Sequence, residues 1–270
     1  MANDKPMTLE QQIDMMKKYV SFTKRARMRA FVEYTGYFRA SRYGKYLLSY
    51  SNIFSMKPSQ QNLFDIYKFD FELRKIMFEA CMKAEIQIKS NIANAVSLKT
   101  GDATFYLDKI NYTPSGGEKN KVDKQKNITF FNKFIQRLNK SETELRNDLK
   151  KEVLRYGYSR GKYGKITTIH MDTWINGVRI LRNICAHSSK LVGMQEAIVL
   201  PDIEDDADIL ISREDLFSRL YALKKILKPQ DSEGMKIEIQ KLLKRTKVNV
   251  YQLNILPIDW EDRFDRIKYL

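Results

Sequence analysis

From Gln61 to Thr100 the apolar residues recur at steps of three, four and seven: Leu63, Ile66, Leu73, Met77, Ala80, Ala84, Ile88, Ile92 and Ala95. Gly101 follows where a C′ glycine belongs. A period near 3.6 sustained over such a span specifies one long helix, and a helix of that length becomes the spine on which the remaining segments pack. Thr8-Leu9-Glu10-Gln11 reads as a capping box opening a helix to about Val20. Further helices are predicted over about 128–139, 142–156 (opened by a second box, Ser141 to Glu144), 167–185, 212–227 capped by Ser212, and 231–245. Eleven glycines and six prolines are too few for the tight turns of a β-sandwich or barrel of this size. The fold class is all-α.

Between these segments the composition changes. Lys57-Pro58-Ser59 breaks the pattern and marks a boundary. Residues 111–127 carry Pro114, Gly116 and Gly117 and almost nothing apolar, which predicts an exposed loop. Residues 157–165 form a glycine-rich, basic, tyrosine-bearing linker. Asp202 to Asp208 places five carboxylates in seven residues without the ligand order of a calcium loop, and a solvated loop is expected.

The chain carries 48 Lys and Arg against 33 Asp and Glu, a net charge of +15. A field of that sign fits a polyanionic partner, nucleic acid first, although a membrane surface or simple solubility would also use it. No apolar run approaches the roughly 18 residues that cross a bilayer, and Met1 to Gln12 is polar. A soluble, cytoplasmic protein is expected. Cys81 and Cys185 have no second cysteine or histidine at metal spacing, so they read as buried apolar residues; no metal and no cofactor is expected.

Acid–base chemistry near neutral pH favours histidine, and there are two, His170 and His187. His187 lies in Leu181-Arg182-Asn183-Ile184-Cys185-Ala186-His187. On a helix Asn183 and His187 are about 40° apart, whereas Arg182 and His187 are about 140° apart. The latter two converge only if the helix ends or bends between them, or if two copies meet. The residue types suffice for RNA cleavage: histidine moves the protons of the 2′-hydroxyl and the leaving 5′-oxygen, and arginine neutralises charge growing on phosphorus oxygens. The spacing alone is common by chance.

The stretch Trp174 to Leu191 resembles the signature of the Abi-like abortive-infection proteins, whose core is a HEPN domain. HEPN ribonucleases carry an arginine, a polar residue and, after a short gap, a histidine, which Arg182, Asn183 and His187 match. Phe69-Asp70-Phe71-Glu72-Leu73-Arg74 resembles the family's Phe-Asp-x-x-Leu-Arg helix. Thr8 to Ile13 with Thr35-Gly36-Tyr37-Phe38-Arg39, and Leu256-Pro257-Ile258-Asp259-Trp260, agree at the two ends. Ser188-Ser189-Lys190 departs from members that place further His or Arg there. The resemblance implies a HEPN-type helical bundle over 57–250, with an N-terminal helical extension over 1–56 and a tail over 251–270 packing on it. It also implies a metal-independent endoribonuclease toxin acting in phage defence, with Arg182, Asn183 and His187 catalytic. A homodimer is implied as well, in which two copies supply the acid and the base that one His187 cannot readily be at once. A small non-coding RNA antitoxin is a further partner known in this family.

Contacts to RNA are expected from Arg25, Arg27 and Arg29, from Arg42, Tyr43 and Lys45, from Tyr158, Arg160, Lys162 and Tyr163, and from Lys190, because cations follow phosphates while rings stack on bases. A solvated basic face with core tyrosines is the competing expectation for each group. Asp70 and Arg74, one turn apart, are expected to form a structural pair. A non-catalytic RNA-binding protein using the same basic cleft is the alternative function.

Overall fold

The computed structural model describes residues 6–54, 57–114, 143–158, 166–196, 198–201, 206 and 208–269. Among these it holds α1 (Leu9–Met16), α2 (Arg25–Thr35), α3 (Tyr37–Ser49), α4 (Gln60–Thr100), α5 (Asn147–Tyr158), α6 (Thr168–Ala186), α7 (Leu216–Ile226), α8 (Pro229–Arg245) and α9 (Trp260–Arg266). A three-residue antiparallel ladder joins Tyr112–Pro114 to Thr143–Leu145. The all-α class is as expected. The chain divides into two compact units: Met1–Ala84 with Thr173–Lys268, and Glu85–Asp172 with Tyr269–Leu270.

Local signals account for the start of α1 and the end of α4. Thr8 accepts from the Gln11 amide at 3.3 Å while the Gln11 side chain receives the Thr8 N–H at 2.8 Å, so the predicted capping box is present. The spine helix runs from Gln60 to Thr100 and stops at Gly101, whose φ of 70° suits glycine.

Four expectations are corrected. α1 ends at Met16 rather than near Val20, because the backbone of Ser21 is committed to Pro58 and Gln60, with N–H···O distances of 2.8 and 2.9 Å. α5 starts at Asn147, because the backbone of Thr143–Leu145 pairs with Tyr112–Pro114 in the ladder; Ser141, the start of the expected capping box, lies outside the described residues. α7 is capped by Asp215, which accepts from the Ser218 amide at 2.9 Å, and not by Ser212. Asp206 is not solvated: it is wholly buried, 2.5 Å from the equally buried Lys225 Nζ, and also accepts from the Tyr221 hydroxyl. The helix predicted over 128–139 and most of the loop over 111–127 lie outside the described residues.

In the first unit α7 is buried along its whole length, Arg219, Lys224 and Lys225 included. Burying a charge is tolerated only with partners. Lys224 Nζ donates to the Phe264 carbonyl at 2.6 Å, Lys225 Nζ to the Lys268 carbonyl at 2.7 Å, and the Arg219 guanidinium to the Ile198 carbonyl at 2.9 Å. α9 covers this core with Trp260 and Phe264, and Trp174 of α6 packs edge-on against Tyr221. The helix break between Ile53 and Gln60 falls inside this unit, so α1 to α3 belong to the same body as the first half of α4.

Candidate functional site

Asp70 organises the site from beneath. It is fully buried on α4, and each carboxylate oxygen accepts twice. Oδ1 takes the amides of Leu191 and Val192 at 2.8 and 2.6 Å; Oδ2 takes the Tyr43 hydroxyl at 2.6 Å and Arg74 Nε at 3.0 Å. One carboxylate thus ties α3, α4 and the chain following α6. Burial pushes its carboxyl up, and the hydrogen bonds from Tyr43 and Val192 and the charge of Arg74 oppose that. The Tyr43 hydroxyl is held in its protonated, donating form, first by burial and then by the Asp70 charge. The Asp70–Arg74 pair is present as a structural pair.

Above this clamp α6 ends in a Schellman turn. The Ser189 amide reaches back to the Ile184 carbonyl at 2.9 Å and the Ser188 amide to the Cys185 carbonyl at 3.2 Å. Ser188 occupies the left-handed position with φ 53°, where glycine would be usual. His187, the C-cap, is exposed and leaves the helix here. Gly193 then turns the chain at φ 63°, and a Cβ on it would stand 2.2 Å from the Tyr46 ring. Tyr46 in turn carries Lys190 Nζ over its face at 4.2 Å.

The result is a cleft of about 210 Å³ lined by Phe38, Arg39, Arg42, Tyr43, His187, Ser188, Ser189 and Lys190. Among the described residues no carboxylate forms an ion pair with Arg39, Arg42 or Lys190. Burial lowers the Lys190 ammonium, Asp70 opposes this, and the neighbouring Arg42 charge adds to it. A cluster of like charges with no ion-paired carboxylate among the described residues favours an anion in the cleft.

The structure brings together His187, Arg42, Tyr43 and Lys190 from the predicted set, and adds Arg39 and Phe38. Tyr43 is the floor of the cleft; its ring is committed to the core. α6 is continuous through Ala186, so Arg182 and His187 stay about 140° apart around one helix. Neither Arg182 nor Asn183 lines the cleft of the same chain.

The remaining predicted cations are placed differently. Arg25 is held by Glu10 and Asp14 at 2.6 and 2.7 Å, and Arg29 by Glu10 at 2.6 Å, so acids of α1 neutralise this face of α2. Arg27 lies over the Phe64 ring at 5.5 Å and Lys45 over Tyr19 at 5.7 Å. The Tyr158 side chain and Arg160, Lys162 and Tyr163 lie outside the described residues. In the second unit His170 Nδ1 is 2.7 Å from the Thr167 hydroxyl. The Cys185 thiol is pushed up to about 12, chiefly by burial, and is no nucleophile at neutral pH. A larger cleft of about 460 Å³ lies between α4 and α8, but its cations share it with Asp65 and Glu72, and Arg245 lies 3.6 Å from Glu72. Among the described residues no cluster of three metal-ligating side chains occurs, and no helix is long and apolar enough to cross a membrane.

The signal for Arg39 and Phe38 was in the sequence: both stand in the Thr35–Arg39 segment of the family resemblance, but nothing local joins them to His187. Comparison with family models matches residues 30–156 to the Abi-like protein family. The match spans Phe38 to Arg42 and the Asp70–Arg74 clamp, and ends before Arg182. No curated protein and no solved structure matches the chain.

Proposed function

We propose, from the match of residues 30–156 to the Abi-like protein family, that this chain is the endoribonuclease toxin of an abortive-infection system, built on a HEPN-type bundle and cutting RNA without a metal. The observation that carries the reading is the exposed imidazole of His187 at the end of α6, beside Arg39, Arg42 and Lys190 in one cleft. In the proposed reaction the 2′-oxygen of the substrate attacks the adjacent phosphorus as a histidine removes its proton. The 5′-oxygen leaves with a proton from a second histidine, giving a 2′,3′-cyclic phosphate and a free 5′-hydroxyl. Cations hold the phosphate as charge grows on its oxygens.

One His187 serves either as base or as acid, so a symmetric pair of chains supplies both. The pair also provides a place for Arg182 and Asn183, which do not line the cleft of their own chain: across a dyad they can serve the partner's phosphate. A small non-coding RNA seated on the same cations would restrain the toxin.

The test is cleavage of total RNA by the purified protein in EDTA. Wild type is expected to produce ends with cyclic phosphate, and His187→Ala to produce none while keeping its helical circular dichroism. Undiminished cutting by that variant overturns the proposal. The placement of Arg182 outside the cleft favours a second reading, an RNA-binding protein without catalysis. That reading predicts salt-dependent binding and no products from wild type.

A further inference from the structure

Phe38 is the most conspicuous side chain in the cleft that the reaction does not use. It is 79 % exposed although it is a large apolar ring. Its aromatic neighbour among the described residues is Tyr37, edge-on at 5.6 Å. A single exposed phenylalanine is unremarkable by itself. This one adjoins Arg39, lies one turn before Arg42 and shares its cleft with His187 and Lys190. A ring set among cations that have no carboxylate partner among the described residues, next to an exposed imidazole, presents the two surfaces an unpaired nucleotide needs: a flat apolar face for the base and positive charge for the phosphate.

We infer that Phe38 is a stacking platform that makes the cleft selective for unpaired RNA, with the base beside the bound phosphate lying on its ring and Arg39 joining Arg42 as a phosphate contact. In a duplex each base is already stacked between its neighbours and offers no free face, so the ring gains nothing from paired RNA. Arg39 and Arg42 contact phosphates in either form. Phe38 is therefore a specificity residue, and the two arginines supply affinity.

This inference deepens the proposed function and rests on it for the choice of RNA, but its test does not depend on cleavage. Full-length protein is titrated in EDTA against a fluorescent 2′-O-methyl oligonucleotide, which cannot be cut, as a single strand and as a perfectly paired duplex. Phe38→Ala is expected to weaken binding of the single strand about tenfold and leave the duplex unchanged, with Phe38→Trp restoring the loss. Arg39→Ala is expected to weaken both forms and to lower the salt slope by about one. Equal single-strand affinity for wild type and Phe38→Ala overturns the inference, as does a loss of the same size on the duplex. If wild type fails to cut natural RNA but Phe38 still discriminates the strands, the nuclease proposal falls and the stacking role stands. If wild type cuts but Phe38→Ala binds normally, the reverse holds.

Discussion

Replacing Asp70 by asparagine tests the clamp beneath the cleft. The carboxylate accepts four hydrogen bonds, two on each oxygen; asparagine keeps one accepting oxygen and puts two N–H donors in place of the other. If the carbonyl keeps Leu191 and Val192, the amide nitrogen meets Arg74 Nε, donor against donor. The Tyr43 hydroxyl can rotate to accept, but Arg74, 4 % exposed, is left as a buried charge without its counter-ion. If the amide is turned the other way, its donors oppose two backbone N–H groups. Breaking a buried pair from one side costs about 3–5 kcal/mol, a large part of the roughly 5–15 kcal/mol that holds a domain folded. At about 2–4 °C per kcal/mol for a body of this size, the melting temperature should fall by roughly 6–20 °C. Urea denaturation followed by tryptophan fluorescence reads this directly, because Trp174 and Trp260 are both buried in the first unit. Adding Arg74→Met to Asp70→Asn removes the stranded charge, so the double variant should cost less than the sum of the single ones. A loss below about 1 kcal/mol for Asp70→Asn, or strict additivity in the pair, would refute the account of Asp70 as a charged junction.

Two backbone substitutions close by should act in opposite directions. Ser188→Gly relieves a left-handed conformation at φ 53°, and a gain of about 0.5–1 kcal/mol in urea denaturation is expected after the greater freedom of glycine in the unfolded chain is subtracted. Gly193→Ala places a methyl group 2.2 Å from Tyr46 at φ 63°; the expected loss is at least about 2 kcal/mol, with weakened RNA binding as Tyr46 and the Lys190 resting on it are displaced.

The helices were legible because their determinants are local. Thr8 and Gln11 meet within one turn, the spine declares its period every three or four residues, and Gly101 needs only its own φ. Helices fall short of their local pattern where a distant partner claims the backbone, as Pro58 does for Ser21 and Tyr112–Pro114 does for Thr143–Leu145. The burial of Asp206 has the same cause: five carboxylates in seven residues read as solvated, whereas folding brings the buried Lys225 against one of them. The Asp70–Arg74 pair was legible as one helical turn, but its bonds to Leu191 and Val192 cross more than a hundred residues.

By itself the sequence determined the helical class, the spine, the Thr8 capping box, the Gly101 stop, the positive field and the His187 motif, all set by composition or by side chains interacting with backbone or neighbours a turn away. Tertiary packing alone decided which cations have no acidic partner among the described residues. Arg25 and Arg29 look no different in sequence from Arg39 and Arg42, yet α1 brings Glu10 and Asp14 to the former pair, while α3 carries the latter pair beside His187. Charge composition is additive along a chain, whereas the potential in a cleft depends on distances that folding sets.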